Sequence, residues 1–413
     1  MEFPEERYYG LNRILLSTVG LWPYDNFKVR YFRFILTLLI SISFLSTGIL
    51  LYALHLQYIY TDDIIFLYST SYYNNIWTKL CVSEHNSDLF LKILSYNIVF
   101  ILFFIKYVTF YAVLKNIKEF RERIRNNWDT LIDKHEIEII CKHGNIGKLL
   151  TLVLTISVYI IVILFYILSQ YVSILLDIVS PLNESRPRKF VFPVEYFIDH
   201  DKYFYIITLH ITIGPLIATT NTLATESFSL TNALHAFSLF KIASYRMKYI
   251  LSEINSQMCT TEKYAISHKR IVAAVDFHRR AIEFSELLKT SFGPAYLILF
   301  VIGVCSASIN LFNLFQIIMI ERDILEIIKS SLFIAIHILA LTLANYAGQE
   351  FINCDMHFYR TVCNTEWYNT PLKTQKLMLF LIQKTIKCYK VDAGGMFGSL
   401  SMALSYFMVL CSV

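Results

Sequence analysis

Few of the reactive side chains in this sequence stand at spacings that would let them do chemistry. There is no glycine-rich phosphate loop, no nucleophile elbow and no paired-cysteine spacing of the kind that holds zinc. Cys354, Asp355, His357 and Cys363 lie close together but follow no metal-site spacing. His210, His337 and Lys106 fall within long apolar runs. An imidazole there usually packs with one hydrogen-bonded partner, although an ionisable group inside a membrane always marks a functional candidate. Lys106 stands near one end of its run, where a long stem lets the ammonium snorkel to the surface. No carboxylate ladder crosses the runs and no inverted repeat is visible, which speaks against a proton pump or a repeat-built transporter. We therefore expect no enzyme, no cofactor and no metal. A net charge of +5 is too modest to argue for nucleic acid.

Two constellations remain. The first is a set of mostly apolar and aromatic positions in the outer halves of four runs: Tyr96 and Asn97; Tyr166 and Gln170; Tyr203, Ile207, His210 and Ile211; Ser331, Leu332 and Ala335. Such walls, with a few polar groups, suit a small hydrophobic ligand, and they equally suit bundle packing or an interfacial belt. The second is the uncharged terminal segment 392–413. At helical spacing Gly394, Gly398, Ser401, Ser405 and Ser412 form one stripe, with Val409 inside it. Met396, Phe397, Leu400, Ala403, Leu404, Phe407 and Leu410 cover most of the rest. A lipid-facing helix has no use for a small, weakly polar stripe; it suits close packing against another helix or the wall of a wet passage.

The elements that must carry these residues are membrane helices. The chain is 55% hydrophobic and 17% charged, against about 25% charged in soluble proteins. Seven spans are expected, at 33–58, 89–113, 149–175, 203–226, 294–318, 327–347 and 392–411, each about 20 residues or slightly more. They do not alternate as barrel strands would, so the fold class is all-α and polytopic. The first residues carry Glu2, Glu5, Glu6, Arg7 and Arg13 without an apolar signal-peptide core, so the first span is expected to act as the targeting signal. Alternate connecting segments hold 28 of the 37 Lys and Arg, which predicts a cytoplasmic N-terminus and an extracellular C-terminus. The sequon Asn183-Glu184-Ser185 falls on a predicted outer loop, where Asn183 is a glycosylation candidate. Of the cysteines only Cys81 falls clearly outside, so no outer-loop disulfide within the chain is expected. Residues 116–140, 266–288 and 366–389 carry apolar side chains at helix-like spacing among charges. They predict helical extensions beneath the membrane, or helices lying on the inner leaflet.

Several stretches carry a family resemblance. Ser405-Tyr406-Phe407-Met408-Val409-Leu410 resembles the C-terminal signature of insect odorant receptors. Lys106 to Phe110, followed by Lys118-Glu119-Phe120 and Asn127-Trp128, is similar to that family's second span and next helix. Phe192 to Phe197 resembles the outer loop before its fourth span, and Tyr245 to Leu251 resembles the receptor expansion of ants, bees and wasps. The resemblance implies a seven-helix bundle inverted relative to G-protein-coupled receptors, assembling as a tetrameric odorant-gated cation channel. It implies a ligand cavity within residues 1–349, a cytoplasmic anchor over 350–391 and a pore-lining helix over 392–413. Ser401, Met402, Ser405, Val409 and Val413 would line or gate that pore. Segment 227–293 lacks the long insertion of the family's co-receptor, which implies a tuning subunit that works with the co-receptor in a heterotetramer. The setting implied is the cell membrane of olfactory neuron dendrites, with membrane lipid around the bundle.

Three rivals make different demands. A G-protein-coupled receptor predicts an Asp/Glu-Arg-Tyr triplet after span three and Asn-Pro-x-x-Tyr in span seven, and neither is present. A gustatory receptor places Gln-Phe near the terminus, where Cys411-Ser412-Val413 stands here. A transporter would show substrate counterflow without a channel-like current.

Overall fold

The structure is a computed structural model that describes residues 5–47, 76–179, 202–251, 259–321 and 324–386. Every regular element among them is helical. In chain order they are α1 (Glu5–Thr18), α2 (Phe27–Thr47), α3 (Ile76–Ala112), α4 (Leu114–Asp129), α5 (Lys134–Val179), α6 (Phe204–Lys248) and α7 (Thr260–Gln316). A π-turn at Ile317–Glu321 leads to α8 (Ile324–Asn364), and a 3-10 turn at Trp367–Asn369 leads to α9 (Leu372–Thr385). Among the described residues, six helices are long and apolar enough to cross a membrane, with spans within Phe27–Thr47, Leu94–Ala112, Lys134–Leu164, Phe204–Lys248, Thr260–Met319 and Glu326–Asn369. These fall on the first six predicted spans. The terminal segment with Ser401, Met402, Ser405, Val409 and Val413 lies outside the described residues, as does Asn183.

The helices are longer than hydrophobicity alone defines. The 45 residues of α6 and 57 of α7 reach about 67 and 85 Å at about 1.5 Å per residue, well beyond about 30 Å of hydrocarbon. The excess gathers at one end. A single buried cluster unites Tyr8 and Leu16, Phe120 and Ile124, Phe237 and Phe240, Phe277 and Phe284, and Phe358 and Met378. These come from all four basic segments, so the lysines and arginines share one end of the bundle, hereafter the basic end. The spans themselves turn apolar side chains outward: Ile156, Ile160, Leu164, Ile298 and Val301 are exposed, as lipid-facing positions should be.

Two elements differ from expectation. The apolar stripe over 116–140 is two helices, broken at 130–133. Ile117, Phe120, Ile124 and Trp128 are buried as the stripe requires. Asp133 then starts α5, its carboxylate accepting from the His135 amide at 2.9 Å and its carbonyl from the Ile137 amide at 3.0 Å. A side chain that caps a new helix wins over continuation of the old one. The other difference is α1, which hydropathy does not pick out. It lies across α5 and α6, with Asn12 donating to Thr231 Oγ1 at 2.7 Å. The Tyr8 ring lies over Gly144, where an added Cβ would come within 2.9 Å of it. The elbow into α2 turns at Gly20 (φ +75°), and a side chain there would meet the Arg30 carbonyl at 2.8 Å. Arg33 closes that elbow by donating to Ser17 Oγ at 2.7 Å and Asp25 Oδ2 at 3.3 Å.

Candidate functional site

Away from the basic end, a second and smaller cluster brings α2, α3, α5, α6 and α8 together. Phe44, Tyr96, Ile207 and Ile211 are buried in it, with Phe100, Val162 and Phe333 packed against them. The stripe on α6 explains its part. Phe204, Ile207, Ile211, Gly214, Ala218 and Asn221 recur at three- and four-residue steps and are all buried. Phe44 packs against Phe100 in a tilted pair at a centroid distance of 4.3 Å, and Tyr96 meets Phe333 edge-on at 5.6 Å. Gly214 admits the Phe44 ring: an added Cβ would fall 2.5 Å from Phe44 Cδ2. Pro215 follows, inside α6. It offers no amide to the preceding turn, which makes this a natural bend.

Polar groups in this cluster are few and directed. His210 Nε2 lies 2.9 Å from Ser43 Oγ, and Tyr96 donates its hydroxyl to Glu326 Oε2 at 3.3 Å. A hollow of about 10 Å³ remains below, lined by Ser41, Phe44, Phe100, Phe103, Gly214 and Asn221 among others. That volume holds about one water. The aromatic rings themselves therefore fill this part of the chamber.

The predicted ligand residues divide. Tyr96, Ile207, His210 and Ile211 share the cluster or its edge. Asn97 and Leu332 are half-buried, whereas Tyr203, Ser331 and Ala335 are exposed. Tyr166 and Gln170 lie on α5, with side chains outside the described residues. Sequence reading missed Ser43, Phe44, Phe100, Phe333 and Glu326. The first four are ordinary residues of apolar runs and Glu326 stands among charges just before one, so that only their partners on other helices distinguish them. His337 takes the packing role: its Nδ1 donates to the Phe333 carbonyl at 2.7 Å.

Below the chamber the contacts become polar. Asn221 donates to the Phe103 carbonyl at 3.2 Å. Lys106 does not snorkel; it turns inward to an ion pair with Glu226, with its ammonium 5.7 Å from the centre of the Tyr296 ring. Tyr296 and Ser229 hydroxyls meet at 2.9 Å. A partner on the adjacent helix removes the need to reach the surface. Farther toward the basic end, Arg246 grips Glu136 with two bonds of 2.5 and 2.8 Å, and His278 meets Asp355 at 2.7 Å. Asp355 is thus engaged by α7, while Cys354 Sγ leans 3.7 Å from Glu350, so the compact run around Cys354 is divided between partners. In α1, burial pushes the Tyr8 phenol up, reinforced by Cys141.

An all-helical bundle with an aromatic cluster at one end, a packed charged layer at the other and six described helices long and apolar enough to cross a membrane has the architecture of a polytopic membrane protein. The family model described as 7tm Odorant receptor matches residues 86–410, and the chain belongs to that family of insect odorant receptors. Its fold is similar to the solved structure of the olfactory receptor OR5 of Machilis hrabei in complex with eugenol. The TM-score is 0.70 at 11% identity, over 99% of this chain and 98% of that one. The structure of the same receptor described without that ligand gives a TM-score of 0.63 at 12% identity, over 98% and 97%. No curated protein matches the chain.

Proposed function

We propose that this chain is the ligand-tuning subunit of an odorant-gated, non-selective cation channel, working with a co-receptor in a heterotetramer at the dendritic membrane of olfactory neurons. The observation that carries the reading is the family match over residues 86–410, which extends into the terminal segment. The orientation is the one the basic residues require, with the basic end in the cytoplasm. The ligand is a small hydrophobic volatile or semi-volatile held in the far-end chamber, by analogy with the eugenol complex of the Machilis receptor. Residues 350–391 anchor the subunits and 392–413 line the pore. Ligand must bind the open state more tightly than the closed one for the equilibrium to shift. Opening then widens and wets a ring that includes Val409, with Val413 one turn beyond.

The test is electrical. Cells expressing the chain with a co-receptor should pass ligand-evoked cation current, and cells lacking the co-receptor should not. Current that vanishes when G-protein signalling is blocked would favour the G-protein-coupled alternative. V409S should raise resting current; unchanged gating in the co-expressed channel would remove this subunit's terminal segment from the pore.

A further inference from the structure

A cleft of about 720 Å³ opens at the basic end between α6 and α8. Small-molecule sites run to about 300–1,000 Å³, so its size is that of a ligand rather than of a few waters. Lys241, Tyr245 and Lys248 line it from α6 at helical spacing, and Glu350, His357 and Asn364 line it from α8. Lys241 lies 37 residues after Phe204, about 55 Å along α6, and Glu350 lies 26 residues after Ile324, about 39 Å along α8. Both lie beyond about 30 Å of hydrocarbon, in the polar layer. None of the eleven lining residues is aliphatic. The buried core of a protein interface is apolar, and this cleft has no such core; its occupant is polar.

The sign of that occupant follows from the cations. Lys241 Nζ lies 3.2 Å from Nε2 of His143 on α5. The other ring nitrogen, Nδ1, lies 2.8 Å from the Ile139 carbonyl and donates to it. An ammonium only donates, so Nε2 accepts and the ring is neutral. His143, itself 6% exposed, thus fixes the Lys241 ammonium without cancelling its charge. Lys248 is exposed, with its ammonium 5.5 Å from the centre of the Tyr249 ring. Among the described residues neither lysine forms an ion pair with a carboxylate. Glu350 is the one carboxylate of the lining, and it accepts instead from Asn353 at 3.4 Å and Cys354 at 3.7 Å on its own helix. His357 and Asn364, both exposed, offer a ring N–H and an amide from α8.

We propose that this cleft binds a polyphosphorylated ligand, with Lys241 and Lys248 each pairing with a phosphate and His357 and Asn364 donating from the other wall. The lysines stand seven residues apart, about 10 Å along the axis, which suits two phosphates of one molecule better than a single ion. This site is separate from the aromatic cluster, and its occupancy does not depend on the channel reading.

The test reads the melting midpoint of the full chain in phosphatidylcholine nanodiscs, which a ligand of the folded state raises. One arm adds free inositol trisphosphate. The other builds phosphatidylinositol bisphosphate into the disc, the same headgroup on acyl chains. A rise in the first arm assigns the site to a soluble phosphate, and a rise in the second alone assigns it to a lipid headgroup. K241Q/K248Q, which keeps a donor for His143, should need about tenfold more probe for the same rise, as expected when two charge-assisted contacts are lost. K241R/K248R keeps both charges and should retain the rise. K134Q/K269Q removes the same charge from exposed lysines outside the cleft and should retain it too. No rise in either arm with the unmodified chain would overturn the proposal. So would a rise that K241Q/K248Q leaves unchanged, or one that K241R/K248R or K134Q/K269Q loses equally.

Discussion

At the scale of single residues the chamber turns on Phe44. Its ring occupies the space that Gly214 leaves open and contacts Phe100 and His210. F44A should enlarge the chamber and extend responses to longer ligands, read as a rightward move along a homologous series in dose–response recordings. G214A should act oppositely, because its Cβ at 2.5 Å from the ring forces Phe44 into the remaining hollow; small ligands should lose about tenfold in potency for each 1.4 kcal/mol of strain imposed on the bound state. Equal tuning in both variants would separate Phe44 from ligand selection. Cysteine chemistry tests the basic end. Cys259 is exposed at the start of α7, and hydrogen bonds from the amide and hydroxyl of Thr261 hold its thiol below the usual value. More thiolate at neutral pH means faster alkylation. Mass spectrometry after brief iodoacetamide treatment should find Cys259 modified well before the buried Cys354. None of these roles was legible in the sequence. Phe44 is buried and Phe32 is exposed, yet both are phenylalanines beside an apolar run.

At the scale of elements, the join of α4 to α5 shows what local signals can do. Asp133-Lys134-His135-Glu136 has the Asp-x-x-Glu pattern of a helix start, and it was readable. The apolar stripe running through Leu131 and Ile137 concealed it, since periodicity alone does not register a four-residue interruption. Glu136 does not complete a capping box. It is drawn instead to Arg246 on α6, 110 positions away. With the Glu136 side chain only 5% exposed, R246M leaves a buried carboxylate without its cation and should destabilise the protein by about 3–5 kcal/mol. The expected readout is a lower midpoint in detergent-solubilised melting followed by size-exclusion chromatography. E136Q/R246M should recover most of the loss; no recovery would mean that Arg246 acts chiefly through its packing over Phe277, 4.0 Å away.

At the scale of the whole molecule, the packed core lies at the basic end and the membrane region is comparatively thin. Hydrophobic burial drives packing in water, whereas apolar side chains gain little by leaving lipid for one another. That contrast fits the proposed function: the packed layer would hold the bundle and leave the far-end cluster as the proposed ligand site. α1 belongs to the rigid layer, with Leu16 fully buried and Tyr8 stacked on Trp128 at 5.8 Å. L16A should cost about 2–5 kcal/mol and reduce the amount of folded protein at the cell surface, without changing the order of ligand potencies in the channels that remain. An altered potency order would mean that α1 reaches the chamber energetically.

The sequence by itself determined the class of molecule, six of the spans now seen as helices and the grouping of basic segments at one end. Those properties are written in contiguous residues: hydropathy accumulates over about 20 positions and charge bias over the loops between. Only the tertiary structure decided that Lys106 turns to Glu226 rather than to the surface, that Phe44 rests on Gly214, and that α1 belongs to the core. Each depends on a partner more than 100 residues away, chosen by the close packing of helices whose own sequences carry no record of their neighbours.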